Sequence, residues 1–265
     1  MYNELMFYKH KPFVGSRFDI RYNKPLSVPV RIDIDEDIIR ITGYVEFDPA
    51  LLVPFKRDPD QRDTLLSALP ESYTYADAVV DGITEYWGGS YLFEGAKMPV
   101  NVLVDLIRKD DPQAVIPEGQ RSFRVRHTNL SATSFVTSPV WRMGWGVFTT
   151  GCPEAAMLNW SPKYPGTINL NDYSRLSWFK RVAAHEFGHI LGLGDAYGAH
   201  YRFFYEYPGT DSYMMNANRQ VQPREIEMAL RAHETGKMQY FPYKFSFKRY
   251  FGSLHTIVDI FRKQQ

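Results

Sequence analysis

The sequence predicts an α+β fold in which a mixed sheet is combined with a few helices. Three observations support this prediction. Between residues 28 and 47, apolar side chains alternate with the two-residue period of half-buried strands. Between residues 74 and 87 they recur at helical spacing, and several short strand-like segments then lead to a second apolar helix near residue 176. Strands and helices thus occur in separate runs, which is typical of the α+β class.

The composition is that of a globular protein close to charge neutrality. The chain has 265 residues, 44% of them hydrophobic, and 31 basic residues balance 30 acidic ones. Because of this balance we expect no nucleic-acid partner, and any contact with an anionic surface has to be local. The N-terminus lacks the pattern of a secretory signal, and no apolar run is long enough to span a bilayer. We expect a soluble protein that is cytoplasmic or exported by a non-classical route.

Strand signals follow one another along the first two thirds of the chain. Residues 28 to 47 are predicted to form two strands, and the acidic cluster of Asp35, Glu36 and Asp37 between them is most simply a solvated hairpin tip, with a cation site as the other interpretation. Further predicted strands are 100 to 107, 123 to 127, 146 to 149 and 167 to 170.

Three helices are predicted from apolar spacing and end signals. The first covers residues 74 to 87 and stops at Gly88 and Gly89. The second covers residues 176 to 191, where Gly192 and Gly194 end the regular pattern. The third covers residues 223 to 235 and begins with Pro223, which suits a first helical turn.

The second helix contains the motif His185-Glu186-Phe187-Gly188-His189. Residues four apart project from the same face of a helix, so the two imidazoles can converge on one metal ion. Glu186 lies beside that face, where its carboxylate can reach a metal-bound water without occupying the coordination sphere. A catalytic zinc ion takes three protein ligands, so a third donor has to come from outside the helix.

Asp195 is the preferred third ligand. The motif continues as H-E-x-x-H-x-x-G-x-x-D, and Gly192 can adopt a positive φ that turns the chain back toward the metal. By composition, H-E-x-x-H alone arises by chance in roughly one such sequence in a hundred, whereas the extended motif is far rarer. His200 is the nearest rival, and the more distant alternatives are Glu206, Glu225 and Glu227.

The extended motif resembles that of the metzincins, zinc endopeptidases marked by H-E-x-x-H-x-x-G-x-x-H or D, and in particular the snapalysin-like variant with aspartate in third place. Members of this group carry a methionine-containing turn below the zinc. The segment from Asp211 to Asn216 matches its Ser-x-Met pattern, with Met214 as our assignment and Met215 as the alternative. The resemblance implies a metzincin-like zincin: a twisted mixed sheet, an active-site helix, a Met-turn and a C-terminal helix.

The resemblance also implies a domain organisation and a substrate-binding strand. It extends roughly from Thr74 to Gly236 and implies a catalytic domain at residues 66 to 238. A β-rich extension at 1 to 65 precedes this domain, and a basic aromatic tail at 239 to 265 follows and packs on it. In metzincins a helix precedes the sheet and an edge strand binds the peptide. That strand is assigned here to Gly146, Val147, Phe148 and Thr149.

The function that follows is a zinc metalloendopeptidase with one catalytic Zn²⁺. Its ligands are His185, His189 and Asp195, and Glu186 is the general base for a zinc-activated water that hydrolyses a peptide or protein substrate. The missing signal and the extra terminal regions are compatible with a delivered toxin or effector. The alternative is a catalytically lapsed zinc-binding scaffold or protein-interaction module. Cys152 is interpreted as a small buried thiol.

Overall fold

The structure is a computed structural model that describes residues 18–35, 37–56, 68–94, 96, 98–128, 134–143, 145, 158–173, 175–196 and 209–241. The strands in these ranges are β1 (Val30–Asp35), β2 (Ile38–Phe47), β3 (Gly89–Tyr91), β4 (Val100–Arg108), β5 (Phe123–His127), β6 (Phe135–Thr137) and β7 (Thr167–Leu170). The α-helices in the same ranges are α1 (Tyr75–Trp87), α2 (Leu176–Ile190), α3 (Met214–Ala217) and α4 (Pro223–Thr235).

The strands form one mixed sheet in the order β3-β4-β2-β5-β7-β6, with β1 also paired to β2. The inner pairs β2–β4, β2–β5 and β5–β7 are parallel. The pairs β1–β2, β3–β4 and β6–β7 are antiparallel. This arrangement confirms the α+β class and the mixed sheet. Within the described ranges, no helix is long and apolar enough to cross a membrane.

Strand β2 is the central strand of the sheet. Its residues 38 to 45 pair with β4, and along its other edge β1 pairs with residues 38 to 43 and β5 with residues 45 to 47. Residues 30 to 47, which the sequence assigns to the N-terminal β-rich extension, therefore share one sheet with β4, β5 and β7. The expectation that a helix precedes the sheet is corrected, since β1 and β2 come before α1.

Helix α1 joins the sheet to α2. Thr74 caps it, because its hydroxyl accepts a hydrogen bond from the backbone N–H of Asp77 while the Asp77 carboxylate accepts one from the Thr74 backbone. At its other end the Trp87 indole donates to the Ala184 carbonyl of α2 at 2.7 Å. Midway, a Cβ atom added to Gly82 would come within 2.5 Å of the Lys180 carbonyl oxygen, so glycine permits this close helix contact.

The predicted helices agree with α1, α2 and α4 to within one residue at each end. The hairpin at residues 28 to 47 and the strands at 100 to 107, 123 to 127 and 167 to 170 are also confirmed. Strands β3 and β6 were not predicted, because three residues are too few to show a two-residue period. The predicted strand at 146 to 149 lies outside the described residues, and the described edge beyond β7 is β6.

The chain after α4 returns to the loop that follows α2. Gly236 ends α4 in the left-handed conformation with φ of 69°. Gln239 then donates its backbone N–H to the Gly192 carbonyl and accepts from the Gly194 N–H, both at 2.8 Å. Phe241 is buried. Residues 239 to 241 of the predicted tail thus pack on the domain, whereas 242 to 265 lie outside the described residues.

Candidate metal centre

Helix α2 is largely buried, and the side chains of its motif are mostly shielded from solvent. Its apolar face, which includes Ala183, Phe187 and Ile190, is fully buried against the core. The side chains of His185 and His189 are only 5% and 12% exposed. The helix therefore holds both imidazoles rigidly, close to the surface but not freely in solvent.

The loop after α2 folds back sharply on the helix. Gly192 has φ of 91°, as its predicted role requires, and a Cβ atom there would come within 2.8 Å of Trp160 and Ala232. Next in the chain, the Leu193 N–H donates to the Gly188 carbonyl at 3.0 Å. This turn, together with the pairing of Gln239, brings Asp195 beside the two histidines. The contribution of Gln239 carried no signal in the sequence, because the pairing uses backbone atoms alone.

Three candidate ligand atoms converge at this point. Nε2 of His185 is 3.0 Å and Nε2 of His189 is 3.4 Å from Oδ1 of Asp195. Ligand atoms of the three residues all lie within 4.8 Å of one another. Around a tetrahedral zinc ion with bonds near 2.0 to 2.1 Å, donor atoms are about 3.3 Å apart. The spacing is therefore compatible with one ion bound by all three side chains.

The second nitrogen of each imidazole is held by a backbone carbonyl. Nδ1 of His185 lies 2.8 Å from the Met214 oxygen, and Nδ1 of His189 lies 2.8 Å from the Leu193 oxygen. A carbonyl can only accept, so each Nδ1 carries the hydrogen and donates it. In the neutral rings the lone pairs are then on the two Nε2 atoms, which point toward Asp195. Metal-binding histidines are commonly oriented by this kind of contact.

Three acceptor atoms this close to one another repel unless positive charge lies between them or on the histidine rings. Burial would lower the pKa of His189, but the charge of Asp195 outweighs it and raises the pKa to about 9. Burial likewise opposes the rise in the pKa of His185, which the hydrogen bond to Asp195 produces. Conversely, burial would raise the pKa of Asp195, yet the two histidines hold it well below its usual range. The site favours positive charge, which a proton or a metal ion can supply.

Glu186 supports the same interpretation. Its side chain is 4% exposed, and burial raises its pKa. Its Oε2 atom has no hydrogen-bond partner in the described part of the chain. An unpartnered buried carboxylate oxygen lowers stability, so a structural role does not account for it. A metal-bound water would give this oxygen a partner, and the residues therefore fit a metal ion.

The two methionines below the helix have different contacts. Met214 supplies the carbonyl that orients His185, whereas the Met215 carbonyl accepts from the Ala196 N–H at 2.9 Å. A Cβ atom on Gly188 would come within 2.2 Å of the Met215 sulfur, so the thioether packs directly against α2. Both methionines are fully buried in α3. The assignment of Met214 as the Met-turn residue stays a prediction.

Glu225, a rival third ligand from the sequence, has another role. It is fully buried, and its carboxylate accepts from the backbone N–H groups of Met215 at 2.7 Å, Gln222 at 2.7 Å and Met214 at 3.4 Å. Burial raises its pKa to about 7, against the effect of these hydrogen bonds. The sequence signal was the spacing of Gln222 and Glu225 at the start of α4, which forms a capping box.

The remaining predicted residues are not part of the described cluster. His200, Glu206, Cys152 and the strand of Gly146, Val147, Phe148 and Thr149 lie outside the described residues. Glu227 lines a groove of about 840 Å³ beside the first turns of α4. Tyr213 also lines this groove. In the described part of the chain, the residues that line it do not include His185, His189 or Asp195.

The chain matches no protein-family model, no curated protein and no solved structure. The functional argument therefore depends on the geometry of the cluster and on the motif.

Proposed function

We propose that this chain is a zinc-dependent endopeptidase of metzincin type, with His185, His189 and Asp195 as ligands of one zinc ion. The observation that carries the proposal is the position of Glu186. Its buried carboxylate follows directly after the first ligand and has an oxygen without a hydrogen-bond partner among the described residues. A hydrolytic metal site needs such a base next to the metal-bound water.

Zinc is the metal that best suits this donor set. Two imidazoles and one carboxylate are common ligands of catalytic zinc, and three protein ligands leave one position open. Two histidines and a carboxylate also suit non-haem iron. The adjacent buried glutamate favours zinc, since oxygenase chemistry has no need of a general base there. When bound, zinc would acidify a water molecule and polarise the scissile carbonyl.

The protein side chains divide the remaining tasks. Glu186 accepts the proton of the attacking water and returns it to the leaving nitrogen of the peptide. Asp195 balances part of the metal charge. Through its Nδ1 contact with Met214, His185 keeps the orientation in which Nε2 faces the metal.

Strand β6 is a second candidate for the edge strand that binds the substrate. Strand β6 is antiparallel to β7, lies at the end of the strand order and precedes α2 in the chain. The resemblance implies an edge strand before the zinc helix, and β6 fits this place in addition to the originally assigned residues 146 to 149. An extended peptide would pair with such an edge through backbone hydrogen bonds.

The test combines metal analysis of the purified chain with cleavage of a peptide library, with and without a chelator. We expect one zinc per chain and chelator-sensitive cleavage. Glu186→Gln keeps the shape and the zinc, and it should lower cleavage by about 100-fold or more. Glu71→Gln, at an exposed position, is the control and should cleave normally.

Two results would contradict the proposal. Cleavage by Glu186→Gln at the wild-type rate would show that Glu186 is not the base. Stoichiometric zinc in a wild-type chain that cleaves no library peptide would instead favour the lapsed scaffold or interaction module.

A further inference from the structure

A second surface, which includes none of the candidate metal ligands, combines exposed apolar side chains with basic ones. Val140, Trp141 and Trp145 occur within six residues and are 84%, 62% and 67% exposed. Large apolar side chains that cluster in one short segment at such exposure indicate a surface that meets another apolar phase. We call the region formed by these three residues and the basic groups described next the tryptophan surface.

Three cations surround one aromatic ring beside this segment. The Arg142 guanidinium lies 4.9 Å from the Tyr164 ring centroid, and Arg121 and Lys163 each lie 5.4 Å from it. Trp141 contacts the same ring edge-on at 5.5 Å. Hydrogen bonding from Arg121 and the charge of Lys163 lower the pKa of Tyr164, which reflects the positive potential here.

Among the described residues, no carboxylate pairs with these three cations. None of Arg121, Arg142 and Lys163 forms an ion pair with another residue in the described ranges. In the sequence from residue 119 to 171, five basic residues stand against a single acidic one, although the whole chain carries a formal charge of only +1. The excess of positive charge at this place therefore suits a local contact with an anionic surface, which the overall composition leaves open.

The chemistry of the surface favours a lipid interface over a nucleic acid. Single-stranded nucleic acids stack their bases on open aromatic faces. Here the Tyr164 ring is already in contact with three cations and with Trp141, and Arg142 also lies 5.5 Å from the Trp141 ring. Exposed tryptophan and valine next to arginine and lysine are instead typical of proteins that insert an apolar edge between anionic headgroups.

The segment is anchored to the end of α2. The Arg142 guanidinium donates to the Asn159 carbonyl at 2.9 Å, and the Asn159 side chain donates back to the Arg142 carbonyl. The next residue, Trp160, donates its indole N–H to the carbonyl of Ile190, the last residue of α2. Hydrogen bonds thus connect the tryptophan surface to the end of α2, the helix that carries His189.

We propose that the tryptophan surface binds anionic membranes, with Val140, Trp141 and Trp145 inserted among the lipids and Arg121, Arg142 and Lys163 facing the headgroups. This inference is independent of the proposed peptidase activity, because it uses none of the metal ligands and needs no bound metal. Binding would take place at the membrane surface, since no helix in the described ranges is long and apolar enough to cross a membrane.

The experiment measures sedimentation of the full chain with vesicles of phosphatidylcholine, with or without phosphatidylserine. We expect binding to the anionic vesicles and its loss at high salt. Trp141→Ser should lower the partition coefficient roughly tenfold, because most of an indole is withdrawn from the interface. Lys163→Gln should lower it about fivefold, as expected for one basic group at an anionic surface.

Two matched controls should bind like the wild type. Val115→Ser changes an apolar side chain that is 89% exposed in the connection between β4 and β5. Lys56→Gln changes an exposed lysine whose backbone N–H donates to Tyr75, a ring that packs on Phe179 near the start of α2. The tryptophan surface is attached to the other end of this 15-residue helix, about 20 Å away.

Three outcomes would overturn the proposal. The first is that the chain binds neither kind of vesicle. The second is that Trp141→Ser and Lys163→Gln bind as well as the two controls, which would place the contact elsewhere. The third is that the chain binds a single-stranded oligonucleotide through these residues but no vesicle. Circular dichroism of each variant establishes that the fold is retained.

Discussion

The carbonyl oxygen of Met214 lies 2.8 Å from Nδ1 of His185. The same residue donates its backbone N–H to Glu225, and so does Met215. A continuous set of hydrogen bonds thus leads from a buried carboxylate on α4, through the backbone of α3, to the first histidine of the motif. Because the contact with Nδ1 fixes the direction in which Nε2 of His185 points, we infer that Glu225 helps to orient this ring through the backbone of α3.

Glu225→Ala should weaken both the fold and metal binding. Removal of the carboxylate leaves buried backbone N–H groups without an acceptor, which should lower the free energy of unfolding by roughly 2 to 5 kcal/mol. Zinc affinity of the folded fraction should fall about 10- to 100-fold, as for other residues that orient a metal ligand. Urea unfolding and zinc titration measure the two effects.

Two further variants test whether Glu225 acts through position. Glu225→Gln keeps an oxygen acceptor and should recover part of the zinc affinity. Glu234→Ala, on the same helix, removes an exposed carboxylate that also accepts a backbone N–H, and it should change little. Unchanged zinc affinity in a folded Glu225→Ala protein would disprove the orienting role.

Gly192→Ala should displace the loop that carries Asp195. The added Cβ would lie within 2.8 Å of Trp160 and Ala232, and φ of 91° is unfavourable for alanine. We expect a loss of roughly 3 kcal/mol or more in unfolding free energy, together with weaker zinc binding.

Gly209→Ala is the matched control for that substitution. Gly209 has a similar φ of 80°, but a Cβ atom there would meet no atom of the described residues within 4 Å. This variant should lose only about 1 kcal/mol from backbone strain and bind zinc normally. Equal losses in both variants would mean that the contacts of Gly192 are unimportant.

Asp195→Ala should lose most of the bound zinc, because two histidines alone remain. The loss of zinc affinity should exceed the roughly 10- to 100-fold that is typical when a residue that only orients a metal ligand is removed. Asp195→His should retain zinc if the turn admits the longer side chain. His127→Ala is the control, since His127 pairs with Asp172 at 2.9 Å outside the cluster. Full zinc occupancy in Asp195→Ala, measured by metal analysis, would place the third ligand elsewhere and make His200 the leading candidate.

His233 should make the protein less stable in acid. Its ring is buried, and Nδ1 forms a hydrogen bond of 2.9 Å with the Tyr22 hydroxyl, whose oxygen accepts from the Ile32 N–H. Burial lowers its pKa to about 3 from the ordinary value of 6.5. Between these values the unfolded chain binds the proton and the folded chain does not, so stability falls as the pH falls. The contribution is up to about 1.4 kcal/mol per pH unit.

The measurement is urea unfolding of wild type and His233→Gln from neutral to mildly acidic pH. Glutamine does not titrate, and its side-chain amide can both donate and accept, so it can still form a hydrogen bond with Tyr22. The variant should therefore show a shallower loss of stability with acid than the wild type. If the free energy of unfolding falls equally steeply with pH in both proteins, the pKa of His233 is not lowered in the folded state.

Local patterns in the sequence were sufficient to predict the helices and to place the candidate ligands on and just after α2. The apolar spacing of α1, α2 and α4 and their end residues determine helix position through neighbouring side chains alone. The positive φ of Gly192 could also be predicted, because a turn directly after a helix is a local requirement. The proximity of Asp195 to the two histidines followed from that turn.

Contacts between distant segments were decided only by the tertiary structure. The central place of β2 depends on pairing with β4 and β5, and its own alternation does not specify those partners. Glu225 was a candidate ligand until the structure placed it against the backbone of α3. Gln239 holds the loop after α2 through backbone atoms, which have no residue signature. Sequence periodicity reports which face of an element is buried, whereas the fold determines what that face contacts.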